Sequence, residues 1–132
     1  MYERKTDRDV RCPLECGFEV FSGKWKIRII GILGGKGTLR NSEIKRELED
    51  ITDAVLAVTL KELARDGLIS RKQYNELPLK VEYSLTQKGE ELIPILKELC
   101  RWSGRNYWGD EEKTMLQCRN CSSFFTKENS PS

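Results

Sequence analysis

A chain of 132 residues, 38% hydrophobic and 33% charged, has enough apolar surface for one modest core and the profile of a soluble globular protein. It has no apolar run near the roughly 20 residues that a membrane span needs, and residues 1–8 lack the apolar stretch of a secretory signal, so the expected setting is the cytoplasm. The net charge is only +2, so a nucleic-acid footprint must come from local clusters of Lys and Arg, and the absence of histidine removes His-based catalysis and His metal ligands.

Pro13 suits the first turn of a helix, where its missing N–H costs nothing. Leu14, Phe18 and Phe21 follow at helical spacing, and Ser22 and Gly23 break the pattern. A second helix starts at about Lys24, carries Trp25, Ile29, Ile32 and Leu33 on one face, and is expected to end at Gly34 and Gly35. Residues 36–40 read as a connector. Residues 41–48 predict a third helix with Ile44 and Leu48 inward, and Glu49, Asp50 and Ile51 predict a tight turn. Thr52 is a good N-cap for a fourth helix, in which Leu56, Leu60 and Leu63 recur on one face until Gly67 stops it. Two helices, 41–48 and 52–65, joined by so short a turn carry a helix-turn-helix signature.

Residues 68–74 and 81–85 are strand candidates on either side of the turn-prone segment Asn75, Glu76, Leu77, Pro78 and Leu79. The second strand alternates apolar and polar residues, and a hairpin placed directly after the helix pair makes a wing. Thr86 can cap a last helix that reaches about Trp108, with Pro94 expected to kink it or disturb its first turns. At about 1.5 Å per residue that helix spans roughly 34 Å, more than a small domain covers. Its stripe of Leu92, Ile95, Leu96, Leu99 and Trp102, with Phe18 from the first helix, therefore calls for another surface, most simply a second copy of the chain. From Gly109 the pattern dissolves. The expected organisation is a mainly α, winged helix-turn-helix DNA-binding and dimerisation domain over residues 1–108, and a flexible tail over 109–132 that holds Cys118 and Cys121.

If Leu56, Leu60 and Leu63 face the core, the 100° step of a helix turns Ala54, Ala57, Val58, Lys61 and Arg65 outward, behind Thr52 and flanked by Asp53 and Thr59. Ala54, Ala57 and Val58 cannot hydrogen-bond but can pack on thymine methyls, or they simply pad an exposed face. Asp53 can accept from a cytosine amino group or stabilise its own helix N-terminus. Lys24, Lys26, Arg28, Arg40 and Lys45 are candidate phosphate contacts, as are Arg71, Lys72 and Lys80 in or near the wing; singly, each reads equally well as a solvated charge.

Five cysteines are an odd count, which does not close a disulfide framework, and in the cytoplasm they are kept mostly reduced. Cys12 stands at a helix start, where the helix dipole together with Arg8 and Arg11 favours a thiolate and Glu15 opposes it; the alternative is a small packed side chain. Cys16 lies one turn on, in a geometry that does not allow a bridge to Cys12 without unwinding the helix, and Cys100 reads as packing. The pair Cys118 and Cys121 supplies two of the four ligands that zinc takes; a half metal site, a redox pair and an inert tail all stay open.

The order and spacing of several short pieces resemble the HxlR (DUF24) family of winged-helix regulators, relatives of the MarR regulators. They are Cys12-Pro13-Leu14-Glu15, Ser22-Gly23-Lys24-Trp25, Ile51-Thr52-Asp53 with Leu56 and Leu60, and Leu63-Ala64-Arg65-Asp66-Gly67-Leu68-Ile69-Ser70-Arg71. Tyr74, the run from Pro78-Leu79-Lys80-Val81-Glu82-Tyr83 to Thr86, Gly89, Leu92 and Trp102 follow, so the likeness covers roughly residues 10–108. It implies a MarR-like dimer on a pseudo-palindromic operator, a response to oxidants, aldehydes or other electrophiles, and a redox-responsive residue at Cys12. The chain departs from the family where Arg40-Asn41 stands in place of an Arg-Phe pair, where residues 56–60 are less polar than base reading usually requires, and in the tail beyond Trp108.

The expected partners are double-stranded DNA, a second copy of the chain and a small electrophile or oxidant, with no membrane, no cofactor and no resident metal. No catalytic constellation is present in the sequence, so an enzyme is not expected. Two competing readings are a winged-helix module that binds another protein through the apolar face of Ala54, Ala57 and Val58, and a thiol or zinc-binding protein using Cys118 and Cys121.

Overall fold

The computed structural model describes residues 12–107, which form five helices and three short strands. Helix α1 (Pro13–Phe21) starts at its proline and ends where Ser22 returns to extended backbone. Helix α2 (Lys24–Lys36) runs through Gly34 and Gly35 instead of ending at them. The stop is Gly37, at φ 84°, which donates its N–H to Leu33 O at 2.9 Å. Glycine only weakens a helix interior; the left-handed residue ends it.

The expected connector after α2 contains a strand, β1 (Leu39–Arg40), too short to leave a period-two pattern in the sequence. Helix α3 (Asn41–Leu48) opens with Arg40 N donating to Glu43 Oε1 at 2.8 Å. Glu49, at φ 63°, turns the chain towards helix α4 (Asp53–Arg65). Thr52 caps α4, its Oγ1 accepting the Val55 N–H at 3.2 Å.

Strands β2 (Ile69–Tyr74) and β3 (Lys80–Leu85) form the hairpin, in register from Ile69↔Leu85 to Tyr74↔Lys80. β1 pairs with the other edge of β3, so β3 is the central strand of a three-stranded antiparallel sheet. This is why all six β3 residues are partly buried and do not show a simple in-and-out alternation.

Helix α5 (Gln87–Tyr107) is 21 residues long, about 32 Å at 1.5 Å per residue, and includes Pro94 without interruption. Its start is pinned by Thr86. The Thr86 Oγ1 donates to Gly67 O at 2.6 Å and accepts the Gly89 N–H at 3.1 Å, tying the first turn of α5 to the loop that ends α4. A Cβ at Gly89 would fall on the Leu68 carbonyl, so only glycine lets α5 lie this close.

The core is built where α2, α3 and α4 meet, with Ile29, Ile30, Ile44, Leu56, Leu60 and Leu63 fully enclosed. Leu92 and Leu96, expected on an open stripe, instead pack partly buried against this core. Ile95, Leu99 and Trp102 stay exposed on α5, and so do Leu14 and Phe18 on α1. One helix face wide enough for both sets thus serves the chain's own core on one side and leaves the other side open.

Candidate nucleic-acid interface

Helix α4 is the second helix of the helix-turn-helix pair. Leu56, Leu60 and Leu63 hold it to the core, and Ala54, Ala57, Val58, Lys61 and Arg65 are exposed on its other side. Val58, a β-branched apolar side chain, is 56% exposed. Val55, which the helical wheel did not single out, is also exposed.

Thr59 does not flank this outer face. It is 7% exposed, and its Oγ1 donates to Val55 O at 2.7 Å. Three residues on from Leu56 and next to Leu60, it falls on the inner side of the wheel, where a threonine satisfies its hydroxyl by bonding back along the helix. Asp53 is exposed in the first turn and is paired with Lys45 Nζ of α3 at 2.6 Å. Thr52 is engaged as the cap.

Lys26 is not a surface cation. It is 6% exposed, on the same side of α2 as Ile29, Ile30 and Leu33, and its Nζ lies 3.4 Å from Glu62 Oε1 on α4. A charge four residues before Ile30 belongs on the buried side of the wheel, and the i, i+4 spacing was the signal that could have located it. Its ammonium therefore faces the core side of α4 rather than a phosphate.

The remaining basic candidates lie on the surface. Lys24 Nζ and Arg28 Cζ sit 4.5 Å and 5.0 Å from the centroid of the Trp25 ring, one from the adjacent residue and one from the next turn. Arg40 is exposed at the edge strand β1, Lys61 on α4, and Arg71 on β2; Arg65 is exposed and lies 3.5 Å from Asp66. In the wing, Lys72 and Lys80 flank the Tyr74 ring at 5.0 Å and 4.9 Å. Tyr74 donates its hydroxyl to Glu82 Oε1 at 2.9 Å, and Lys80 Nζ lies 3.5 Å from Glu82 Oε2. The Tyr74 hydrogen bond, with the charges of Lys80 and Arg40, holds the Glu82 carboxyl below the usual carboxylate range against a smaller opposing effect of burial. The wing tip carries Leu77 and Leu79 fully or largely exposed.

Cys12 is the exposed N-cap residue of α1, its thiol 3.5 Å from Glu15 Oε1, and Cys16 is exposed one turn further on. Cys100 is partly buried on α5. Among the described residues no three His, Cys, Asp or Glu side chains gather as a metal site, and no helix is long and apolar enough to cross a membrane. Arg8, Arg11, Trp108 and the tail with Cys118 and Cys121 lie outside the described residues.

A short helix pair whose second member turns an open face outward, followed at once by a β-hairpin and closed by a long terminal helix, defines a winged helix-turn-helix protein of MarR type. Comparison with known proteins agrees. The HxlR-like helix-turn-helix family model matches residues 20–112. The HTH-type transcriptional regulator YkvN of Bacillus subtilis is 50% identical over 101 residues, covering 76% of this chain and 83% of YkvN. Among solved structures, the redox regulator HypR in its oxidized form is 38% identical with a TM-score of 0.66, covering 72% of this chain and 97% of HypR. The reduced form of the transcriptional regulator YodB from B. subtilis is 33% identical with a TM-score of 0.68, covering 76% of this chain and all of YodB. The chain belongs to the HxlR-like helix-turn-helix family of transcription regulators.

Proposed function

We propose that this protein is a sequence-specific DNA-binding regulator that acts in the cytoplasm as a homodimer on a pseudo-palindromic operator. The observation that carries this reading is α4, whose leucines are fully enclosed while its opposite side stands open in the second position of a helix-turn-helix pair. Such a helix fits the major groove and presents its outer face to base edges. Lys24, Arg40, Lys61, Arg65, Arg71 and Lys80 contact phosphates, which position the protein without reading sequence. The wing follows the neighbouring backbone.

Dimerisation uses the exposed apolar side chains of α1 and α5, with Phe18, Ile95, Leu99 and Trp102 at its centre. An α5 of about 32 Å is matched in length to the roughly 34 Å between successive major grooves on one DNA face. Regulation acts at the same place: Cys12 is exposed at the start of α1, beside Leu14, and oxidation or alkylation there shifts α1 and hence the spacing of the two reading heads. The likeness to HypR, named a redox regulator, and to YodB, solved in diamide-treated and quinone-bound forms, supports this reading. The winged-helix domain works as one unit with its partner copy.

The test is selection from a random duplex pool, followed by binding of the enriched duplex with salt varied and with the protein reduced or treated with diamide. An enriched two-fold-symmetric sequence, an affinity that falls steeply with salt and a diamide effect lost in Cys12→Ser are expected. Failure to enrich any sequence would favour a protein-binding module that uses the same α4 face.

A further inference from the structure

The geometry points to a reading head on α4 that recognises pyrimidine 5-methyl groups, so that it treats thymine and 5-methylcytosine alike. This rests on the DNA-binding reading above and names what that site distinguishes. Residues 52–59 contain three polar side chains, Thr52, Asp53 and Thr59, and each is engaged within the protein. Thr52 caps the helix at 3.2 Å, Thr59 donates to the Val55 carbonyl at 2.7 Å from a buried position, and Asp53 is paired at 2.6 Å with Lys45.

What the first two turns expose beyond the paired Asp53 is Ala54, Val55, Ala57 and Val58, four apolar side chains. They have no donor or acceptor with which to read the polar edges of bases. In the major groove the one apolar feature of a base edge is the C5-methyl of thymine, and unmodified cytosine has hydrogen there. Methylation of cytosine at C5 puts the same group in the same place.

Two features favour DNA over a protein as the occupant of this face. The side chains are small, which lets the helix backbone approach a groove floor, and the first two turns of the face carry none of the aromatic or Arg anchors around which protein interfaces are organised. The Lys45 pairing also offsets the one carboxylate at the leading edge, and Lys61 and Arg65 continue the same face with positive charge where phosphates would lie.

The experiment takes the duplex enriched by selection and replaces thymines under the reading head, one position at a time, with uracil paired to adenine, or with cytosine or 5-methylcytosine paired to guanine. Affinities are measured by competition anisotropy for the wild type and for Val58→Ala. Uracil is expected to weaken binding about four-fold per contacted methyl, the ratio that corresponds to about 0.8 kcal/mol for burying one carbon. Cytosine should weaken it at least as much, and 5-methylcytosine should restore most of the loss. In Val58→Ala the thymine-to-uracil ratio should fall towards one at one position only, with the unfolding midpoint not lowered because Val58 is exposed and alanine favours a helix. Equal binding of thymine and uracil duplexes, or equal rejection of cytosine and 5-methylcytosine, would overturn the methyl reading alone. A selection that enriches no sequence overturns the DNA-binding proposal and this inference with it.

Discussion

Nζ of Lys26 on α2 lies 3.4 Å from Oε1 of Glu62 on α4, and the lysine is almost closed off from solvent. The ammonium makes no well-directed hydrogen bond, so Glu62 is its principal electrostatic compensation. Removing the glutamate leaves a buried cation, whereas removing the lysine leaves a carboxylate that is 36% exposed and can be solvated. Glu62→Ala is expected to cost about 1–3 kcal/mol, below the range for fully buried pairs because the Glu62 side chain is 36% exposed and water screens the attraction. Lys26→Met, similar in length and apolar, is expected to change stability by less than about 1 kcal/mol in either direction. Urea unfolding of the two variants checks the contrast.

Glycines on two helices should respond in opposite directions. Gly89→Ala puts a methyl group onto the Leu68 carbonyl, which belongs to the backbone and cannot swing away, and should destabilise by about 1–3 kcal/mol while loosening the start of α5. Gly35→Ala meets nothing within 4 Å inside α2 and should stabilise by about 0.5–1 kcal/mol through helix propensity. Thermal unfolding of both proteins gives the sign of each.

Much of this architecture was legible in the sequence because it depends on local signals. Thr52 announced the start of α4, the heptad-like spacing of Leu56, Leu60 and Leu63 announced its buried side, and Gly67 its end. What was not legible depends on tertiary contacts. Strand β1 exists only because β3 offers it an edge, and two residues carry no periodicity of their own. Leu92 and Leu96 look like Ile95 and Leu99 in the sequence, and only the docking of α5 separates those that meet the core from those left open. At the candidate site, Lys26 was assigned by residue type to the surface and Thr59 to the flank of the outer face, although the side of the helix shared with the buried residues holds both.

The wing should respond to acid. The pKa of Glu82 is lowered in the folded protein, so the folded state releases this proton more readily than the unfolded chain does. The stabilisation is present above the unfolded carboxylate value, near 4.5, and is lost as pH falls through the lower folded value. Tyr74→Phe removes the largest cause of the shift and should flatten this acid-side loss. Unfolding midpoints of wild type and variant, compared between about pH 6 and pH 3, test the sign.

If the open side of α5 pairs two copies, a charge placed there should separate them without unfolding either. Ile95 is 59% exposed in the single chain, so Ile95→Glu is expected to leave the melting of the isolated fold nearly intact and to shift the sedimentation profile from dimer to monomer. Affinity for the selected duplex should fall by at least about ten-fold, because two linked reading heads become independent ones. An unchanged dimer would remove α5 from the interface.

The most direct test of the central claim, that two copies offer the open side of α4 to successive turns of one duplex, is hydroxyl-radical footprinting on the selected DNA. Two protected tracts on one face, centred about 10 base pairs apart, are predicted, with both weakened together by Ile95→Glu. A single protected tract that Ile95→Glu leaves unaltered would contradict it.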